Sequence, residues 1–398
     1  MVICHIWDAD YPWDIRVEKV CRSLGVKHEV HLVCRNANRW SRSEKLDGLS
    51  IHRLPFLPKW FGFCNAMMGF PLFFNPVWLF TIWATVRRTD ADLILVRDLP
   101  LALTAIAVGR WFGIPILLDL AENYPAMLKD RLRYTPTSFM GRIVRHPALA
   151  AMVERTVLRN VDHIIVVVEE SRDRLVQMGI PQDRITIVSN TPLLDRWEQG
   201  VSQTGNVTTD DVPHLVYLGN LDGSRGIDTA IEAIGVLKDR GEMARLSIIG
   251  MGQNLEQFRT LSKVLGVEDR VSIMGRLPFS DLQPIMARAN IGLIPHYSTD
   301  AWNTTIPNKL FDFMAMGKPV IVSSARPTER IVRSEECGLV FVERTKEDLA
   351  STILELRTRS AREQLGRNGR AAFLKRWNWA FDEQLVYEAL DHTVRRKR

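Results

Sequence analysis

The sequence predicts two consecutive α/β units, each a doubly wound parallel sheet flanked by helices. Three observations predict it. Short runs rich in Val, Ile and Leu alternate with amphipathic helical stretches along most of the chain. The alternation stops in a polar stretch, 199–206, and then restarts. A length of 398 residues suits two domains.

In order, residues 2–7 read as a strand, 15–24 as a helix and 28–34 as the next strand. Strands over 93–96 and 114–118 follow, with helices over 101–112 and 148–159 beside them. Strand 162–168, helix 171–178 and strand 185–188 complete the first unit. The second opens with strand 214–218, helix 226–240 and strand 245–249. Helix 255–265, strand 271–274 and helix 279–288 come next, then strands 291–294 and 319–323 around helix 308–316. The stretch 371–394 carries Trp377, Trp379, Phe381 and Tyr387. It reads as a closing helix of the second unit, or as one that crosses back to the first. The expected division is therefore 1–195, 196–370 and a terminal helix in 371–398. Where two such units face each other across a cleft, ligands bind at the carboxyl ends of the strands.

Composition narrows the class. Hydrophobic residues make up 46% and charged residues 25%, which excludes disordered and collagenous chains. Lys and Arg total 52 against 46 acidic residues, a net charge of +6. That excess fits contact with phosphates or an anionic membrane surface. No nucleic-acid motif accompanies it, so nucleic acid is not expected as a partner. The basic run 395–398 reads as a solvated terminus. Cysteines 4, 21, 34, 64 and 337 are odd in number and lack metal-ligand spacing, which suits a reducing cytoplasm. The first residues read as a strand, not a signal peptide.

Residues 60–86 form a 27-residue stretch without Asp, Glu, Lys or Arg. A span needs about 20 apolar residues, but Gly62, Gly69, Pro71 and Pro76 break this one up. Two readings stand. Trp60, Phe61, Phe63, Phe70, Phe73, Phe74 and Trp78 suit a membrane interface. A buried helix-loop-helix under the first sheet accounts for them equally.

Three glycine-bearing or polar blocks carry chemistry. Residues 217–226 run from a strand through Gly219, Asn220 and Gly223 to Arg225 and a helix start, a geometry that admits an anion. A plain βα turn explains the glycines too. Gly250 and Gly252 open a dinucleotide-like pattern, but Leu255 stands at the third glycine, which disfavours NAD. In block 302–320, Pro307 suits a helix start and Gly317 its end. Thr304, Thr305 and Asn308 lie where free N–H groups meet an anion, and Lys309 and Asp312 share a helix face. A capped surface helix with an ion pair is the plainer alternative.

Block 302–320 resembles the "PNKLFEYMAxGKPVV" stretch of GT-B glycosyltransferases of family 4. Other segments are similar in order and spacing. Residues 217–226 resemble "GxLxxxKG", with Arg225 at the usual Lys, and 245–252 resemble "LxIxGxGP". Residues 270–294 resemble "RVxFxGxV…ELxxxYxxADVxLxPS". In the first half, 14–19 resemble "DxRVxKEA", 119–125 resemble "DxHExYP", and 164–170 with 185–190 resemble "IxVVS…KIxVIxN".

The resemblance implies a GT-B fold and a nucleoside diphosphate sugar on the C-terminal domain. No cofactor and no obligatory metal are implied, and the anomeric configuration is retained. Arg225 and Lys309 would hold the diphosphate, and Asp312 the ribose. Gly275, Arg276 and Leu277 would lie along the base. Gly219, Asn220, Gly250, Gly252, Thr305 and Asn308 would complete the donor site, and His296, after strand 291–294, would touch the sugar. Asp119 and Glu122 are catalytic candidates, with strand-end capping the alternative; Asp14, Arg16 and Asn123 are acceptor-side candidates. Thr304 stands where the family has the first Glu of its E-x7-E pair, Ala121 where it has His, and the glycine-rich loop after the first strand is missing.

The leading expectation is a retaining transferase acting on a lipid-linked or polysaccharide acceptor for cell-surface glycan, in the cytoplasm or peripheral on the membrane's cytoplasmic face. The alternatives are a non-catalytic sugar-nucleotide binder or partner subunit, then a sugar-nucleotide epimerase, then an NAD oxidoreductase.

Overall fold

The computed structural model describes residues 1–12, 14–56, 75–135, 142, 145–197 and 212–397. Residues 60–74 of the apolar segment, the polar stretch 199–206 and Arg398 lie outside these. The chain divides into two units. One comprises Met1–Lys129, Thr137–Ser189 and Asp382–Arg398, the other Asp130–Pro136 and Asn190–Phe381.

The first unit carries β1 (Val2–Asp10), β2 (Glu29–Arg35), β3 (Ser43–Leu46), β4 (Leu49–Arg53), β5 (Leu93–Arg97), β6 (Ile116–Leu120), β7 (His163–Val166) and β8 (Ile185–Ile187). They lie in the order β3-β4-β2-β1-β5-β6-β7-β8. β3 is antiparallel to β4, and the other pairs are parallel. Around them are α1 (Ile15–Gly25), α2 (Pro76–Thr89), α3 (Ala102–Phe112), α4 (Tyr124–Tyr134), α5 (Pro147–Asn160) and α6 (Glu169–Gln177). β5 and β6 are buried at every position. That is why they read as continuous apolar runs: helices cover both faces of a parallel sheet.

The second unit alternates regularly. It contains β9 (His214–Leu218), α7 (Ile227–Asp239), β10 (Arg245–Ile249), α8 (Leu255–Val264), β11 (Val271–Met274), α9 (Phe279–Arg288) and β12 (Ile291–Ile294). Then come α10 (Lys309–Ala315), β13 (Val320–Ser323), α11 (Arg326–Ser334), β14 (Gly338–Phe341), α12 (Lys346–Glu355) and α13 (Arg359–Lys375); the last helix, α14 (Trp379–Lys397), returns from Asp382 onward to the first unit. The sheet is parallel in the order β11-β10-β9-β12-β13-β14. Strand order reverses between β9 and β12, and in the first unit between β1 and β5. Chains leaving adjacent strands in opposite directions open a crevice at those points.

Several elements differ from the sequence reading. The strand expected at 114–118 lies at Ile116–Leu120. Gly113, with φ 69°, ends α3, and Ile114 N–H still bonds back to Gly109, so the strand starts past Pro115. β3 and β4 form a hairpin that was not anticipated, closed by Asp47 and Gly48 at φ 48° and 83°. The helix expected over 371–394 is two. Asn378 breaks it: its side-chain amide donates to the carbonyls of Phe373 and Leu374, and its oxygen accepts from Phe381 N–H.

The described end of the apolar segment is helical. Asn75 Oδ1 accepts from Val77 N–H at 2.9 Å and caps α2, with Pro76 at the first position. Trp78, Ile82 and Val86 enter the core under the first sheet, and Phe80 faces outward, 69% exposed. Among the described residues, no helix is long and apolar enough to cross a membrane.

Candidate functional site

In the second unit the loops after β9 and β12 meet at the reversal of strand order. Backbone packing explains the glycines between them. Gly226 heads α7 with φ 64°, and a Cβ there would stand 1.9 Å from Pro295 O. Gly250, at φ 153°, meets Gly219 O at 1.8 Å by the same measure, and Gly252 meets Leu221 O at 2.2 Å. The two glycines of the dinucleotide-like pattern thus let the loop after β10 lie against the loop after β9. Asp222 Oδ1 accepts from both the N–H and the hydroxyl of Ser224 and tightens the turn. Asp222 Oδ2 takes Arg225 Nε at 3.0 Å.

α10 brings in Lys309. Its seat is the ring of Phe313 over Gly292 of β12, where any side chain would collide with it. Lys309 Nζ lies 4.0 Å from the centre of the Tyr217 ring and 3.4 Å from His296 Nε2. A Cβ on Gly219 would sit 2.9 Å from that nitrogen. Arg225 stacks its guanidinium 4.4 Å from the Trp302 ring centre, and Trp302 lies 4.1 Å from the His296 ring. Both cations therefore rest on aromatic faces. Among the described residues no carboxylate pairs with Lys309. Burial first, and then the Arg225 charge, push its ammonium well below the ordinary lysine range. His296 is 2% exposed; burial, then Lys309 and Arg225, hold its ring neutral. An anion between Lys309 and Arg225 would relieve all three groups.

The remaining donor-side candidates are spread around this centre. Asn220 is exposed, and its carbonyl accepts from the Tyr217 hydroxyl. Gly275 has open surroundings, its nearest neighbour being Met251 Sδ at 3.5 Å from a Cβ position; Arg276 is exposed and Leu277 half-buried. Asn308 precedes α10 without a side-chain capping bond, and Thr305 is buried. Thr304 turns its hydroxyl onto the carbonyls of Asp300 and Ala301. Asp312 is buried, and its Oδ1 accepts from Trp197 Nε1 at 2.7 Å with Arg196 at 3.7 Å. Tyr217 and Trp302 as rests for the cations were not foreseen. They left no local signal, since each aromatic lies in a different block of the sequence from the cation it supports.

The first unit builds a different cluster at its strand ends. Asp119 closes β6 and takes Arg16 in a two-pronged pair at 2.7 and 2.8 Å, with Arg97 at 3.1 Å. Arg16 also donates to the carbonyls of Val188 and Ser189. Burial alone would raise the Asp119 carboxyl; Arg16 and then Arg97 outweigh it and hold it well below the usual range. Asp14 caps α1 through Arg16 and Val17 N–H groups. Asn123 accepts from Ala126 N–H at the start of α4, and Glu122 beside it is half-buried. Arg97 and Asp98, the latter at φ 60°, were missed; they directly follow an evident strand. Among the described residues no three His, Cys, Asp or Glu side chains gather around a possible metal position.

Comparison with known proteins supplies the family. Residues 15–191 match the model described as a glycosyl transferase 4-like domain, and 212–359 match glycosyl transferases group 1. The amylovoran biosynthesis glycosyltransferase AmsK of Erwinia amylovora is 26% identical over 189 residues, 46% of this chain and 44% of that protein. The chain thus spans less than half the length of that curated relative. Sucrose-phosphate synthase of Thermosynechococcus elongatus superposes with a TM-score of 0.76 at 18% identity, covering 98% of both chains. HepE of Anabaena, in complex with UDP and glucose, gives 0.72 at 14% identity, covering 98% of this chain and 99% of that one. These likenesses show the GT-B fold. With one family model on each unit, the chain belongs to the group 1, family 4 glycosyltransferases.

Proposed function

We propose that this protein transfers a sugar, with retention of configuration, from a nucleoside diphosphate sugar to a lipid-linked or saccharide acceptor in cell-surface glycan synthesis. The observation that carries this reading is the pair Lys309 and Arg225. Both stand at the crevice of the second sheet, each resting on an aromatic ring. A leaving diphosphate needs such preorganised positive charge, and removing one donor of this kind costs about 3–4 kcal/mol in the barrier. HepE was solved with UDP and glucose, which supports a nucleotide sugar as donor. In the reaction the bond from the sugar's anomeric carbon to the diphosphate breaks. An acceptor hydroxyl oxygen bonds to that carbon in its place and passes its proton to the departing diphosphate oxygen.

The acceptor side is read on the first unit. The charge-free stretch 60–86 and the +6 balance support a lipid-linked acceptor and action at the cytoplasmic face of a membrane. Asp14, Arg16, Asp119 and Asn123 act there as a scaffold, since each is held by a structural partner. Glu122 stands half-buried beside them and is the catalytic candidate of this side.

A second reading is a sugar-nucleotide binder without turnover. It draws on Thr304, whose hydroxyl faces its own turn, and Asp312, whose carboxylate serves Trp197. A thermal-shift screen with UDP, GDP, ADP, dTDP and NAD tests both. A ligand at 100 times its Kd stabilises by about 2.7 kcal/mol. A shift with one nucleoside diphosphate, followed by its release from the sugar conjugate, supports the transferase. Binding without release supports the second reading, and a shift with NAD alone overturns both.

A further inference from the structure

We infer that Asp130 and Tyr134, on the last turn of α4, are positioning residues for the donor site. They hold the two loops that carry Arg225 and the Trp302 ring on which it rests. The inference rests on the nucleotide-sugar reading above and deepens it.

Arg225 and Trp302 both stand on loops, which are placed less exactly than strands or helices. Arg225 has two supports, Asp222 Oδ2 at 3.0 Å and the Trp302 ring at 4.4 Å. Whatever fixes those loops therefore fixes the charge. The end of α4 lies in Asp130–Pro136, a segment of the second unit. Asp130 and Tyr134 are four residues apart and share a face of that helix.

Each reaches one loop. Thr299 Oγ1 donates to Asp130 Oδ2 at 2.5 Å. A hydroxyl has one proton, so once it is committed to a carboxylate the oxygen is left to accept. Thr299 Oγ1 accepts the N–H of Trp302 at 3.3 Å, and Thr299 O accepts that of Asn303. Trp302 opens the short 3-10 turn Trp302–Thr304, so this bond sets where the indole starts.

Tyr134 supports the other loop. A Cβ on Gly223, two residues before Arg225, would stand 3.3 Å from the Tyr134 ring. The Tyr134 hydroxyl accepts from Arg344 at 2.7 Å, and the Arg344 guanidinium covers the Tyr297 ring at 3.6 Å. Tyr297 N–H donates to Ser224 O, which ties the two loops together beside Tyr134. A misplacement of about 1 Å can cost about a hundredfold in rate, so such support bears on function.

Both residues act through Arg225, and that gives the test. Calorimetry is run with whichever of UDP, GDP, ADP and dTDP the wild type binds, with and without Arg225→Ala. Thr299→Val keeps the side chain's shape and loses both bonds of the hydroxyl, Asp130→Ala removes its acceptor, and Tyr134→Ala removes the ring. Each is expected to weaken the nucleotide about fivefold when Arg225 is present, and less than about twofold when it is not. Thr299→Ser keeps the hydroxyl and Tyr134→Phe keeps the ring, so both should stay within about twofold of wild type. Equal weakening with and without Arg225 marks a merely structural role and overturns the inference, as does no weakening in either. Should Asp130→Ala or Tyr134→Ala not fold, the near-isosteric Thr299→Val decides. If the wild type binds none of the four nucleotides, the donor-site reading itself fails and this inference falls with it.

Discussion

Trp197 Nε1 donates to Asp312 Oδ1 at 2.7 Å, joining the segment that enters the second unit to the helix that carries Lys309. Trp197 is 1% exposed, so the bond is made away from water. Trp197→Phe removes this buried hydrogen bond to a charged group and is expected to lower stability by about 1–3 kcal/mol. Asp312→Glu, which forces the carboxylate a methylene further on, should disturb the same contact. Urea unfolding monitored by far-UV dichroism measures both; unchanged midpoints would remove the anchoring role.

Arg225→Ala and Lys309→Ala are each expected to reduce kcat/KM about 10²–10³-fold, since each removes a charge that faces the leaving group. Lys309→Met removes a buried charge with no paired carboxylate, so the ligand-free protein should gain about 1–2 kcal/mol. The lysine's folded pKa is lowered, so its penalty is complete below that value and relieved as pH rises toward about 10.4, the unfolded value. The advantage of Lys309→Met should therefore shrink with rising pH. A variant less stable than wild type at neutral pH would argue that a counter-charge is already present.

Acid should weaken the first unit before carboxylates titrate. Burial lowers His5, His52 and His163 to about 4. Between about pH 6.5 and pH 4 the unfolded chain binds protons that the folded one refuses, so stability falls as pH falls. Each histidine contributes up to about 1–3 kcal/mol over that window. His163→Gln should flatten the slope in a series of melts; an unchanged slope would mean His163 protonates freely in the fold.

The glycines of the second unit should divide sharply under substitution. Gly250→Ala drives a methyl into Gly219 O at a φ of 153°, and Gly252→Ala drives one into Leu221 O. Each should cost about 2–4 kcal/mol or prevent folding. Gly275→Ala meets only Met251 Sδ at 3.5 Å and should leave Tm within a few degrees. Tolerance of Gly250→Ala would contradict the close packing of the two loops.

Removing Arg16 alone strands the buried Asp119 carboxylate with only Arg97 opposite it. Arg16→Met should cost about 3–5 kcal/mol. The double change with Asp119→Leu should recover part of that loss, because it removes the stranded charge as well. Additive losses in this cycle would show that the two side chains act independently.

Much of this was legible because the signals were local. The apolar runs that became β5, β6, β9, β10 and β12 are buried strands in both readings, and Pro307 and Gly317 frame α10 by chemistry the sequence displays. Arg225 was readable as an anion ligand from its glycine-bearing turn, but Lys309 was readable as one only through the family resemblance. Nothing in their spacing brings them together; the strand order does. The hairpin at Asp47 and Gly48 carries a strong turn signal, but its strand Ser43–Leu46 is largely exposed and lacks an apolar pattern. The Asn378 break was hidden because the residues on both sides keep helical periodicity. The partnership of Asp312 with Trp197 spans 115 residues and left no local trace.

The last helix has a consequence for how the protein is made. Tyr387 donates to Ser23 O, Lys27 lies over its ring, and His392 stacks on His163. Residues 382–397 thus finish a unit whose first segment begins at Met1. The first unit must wait, one flank open, until the whole of the second has emerged. The half of the molecule synthesised first is the half completed last.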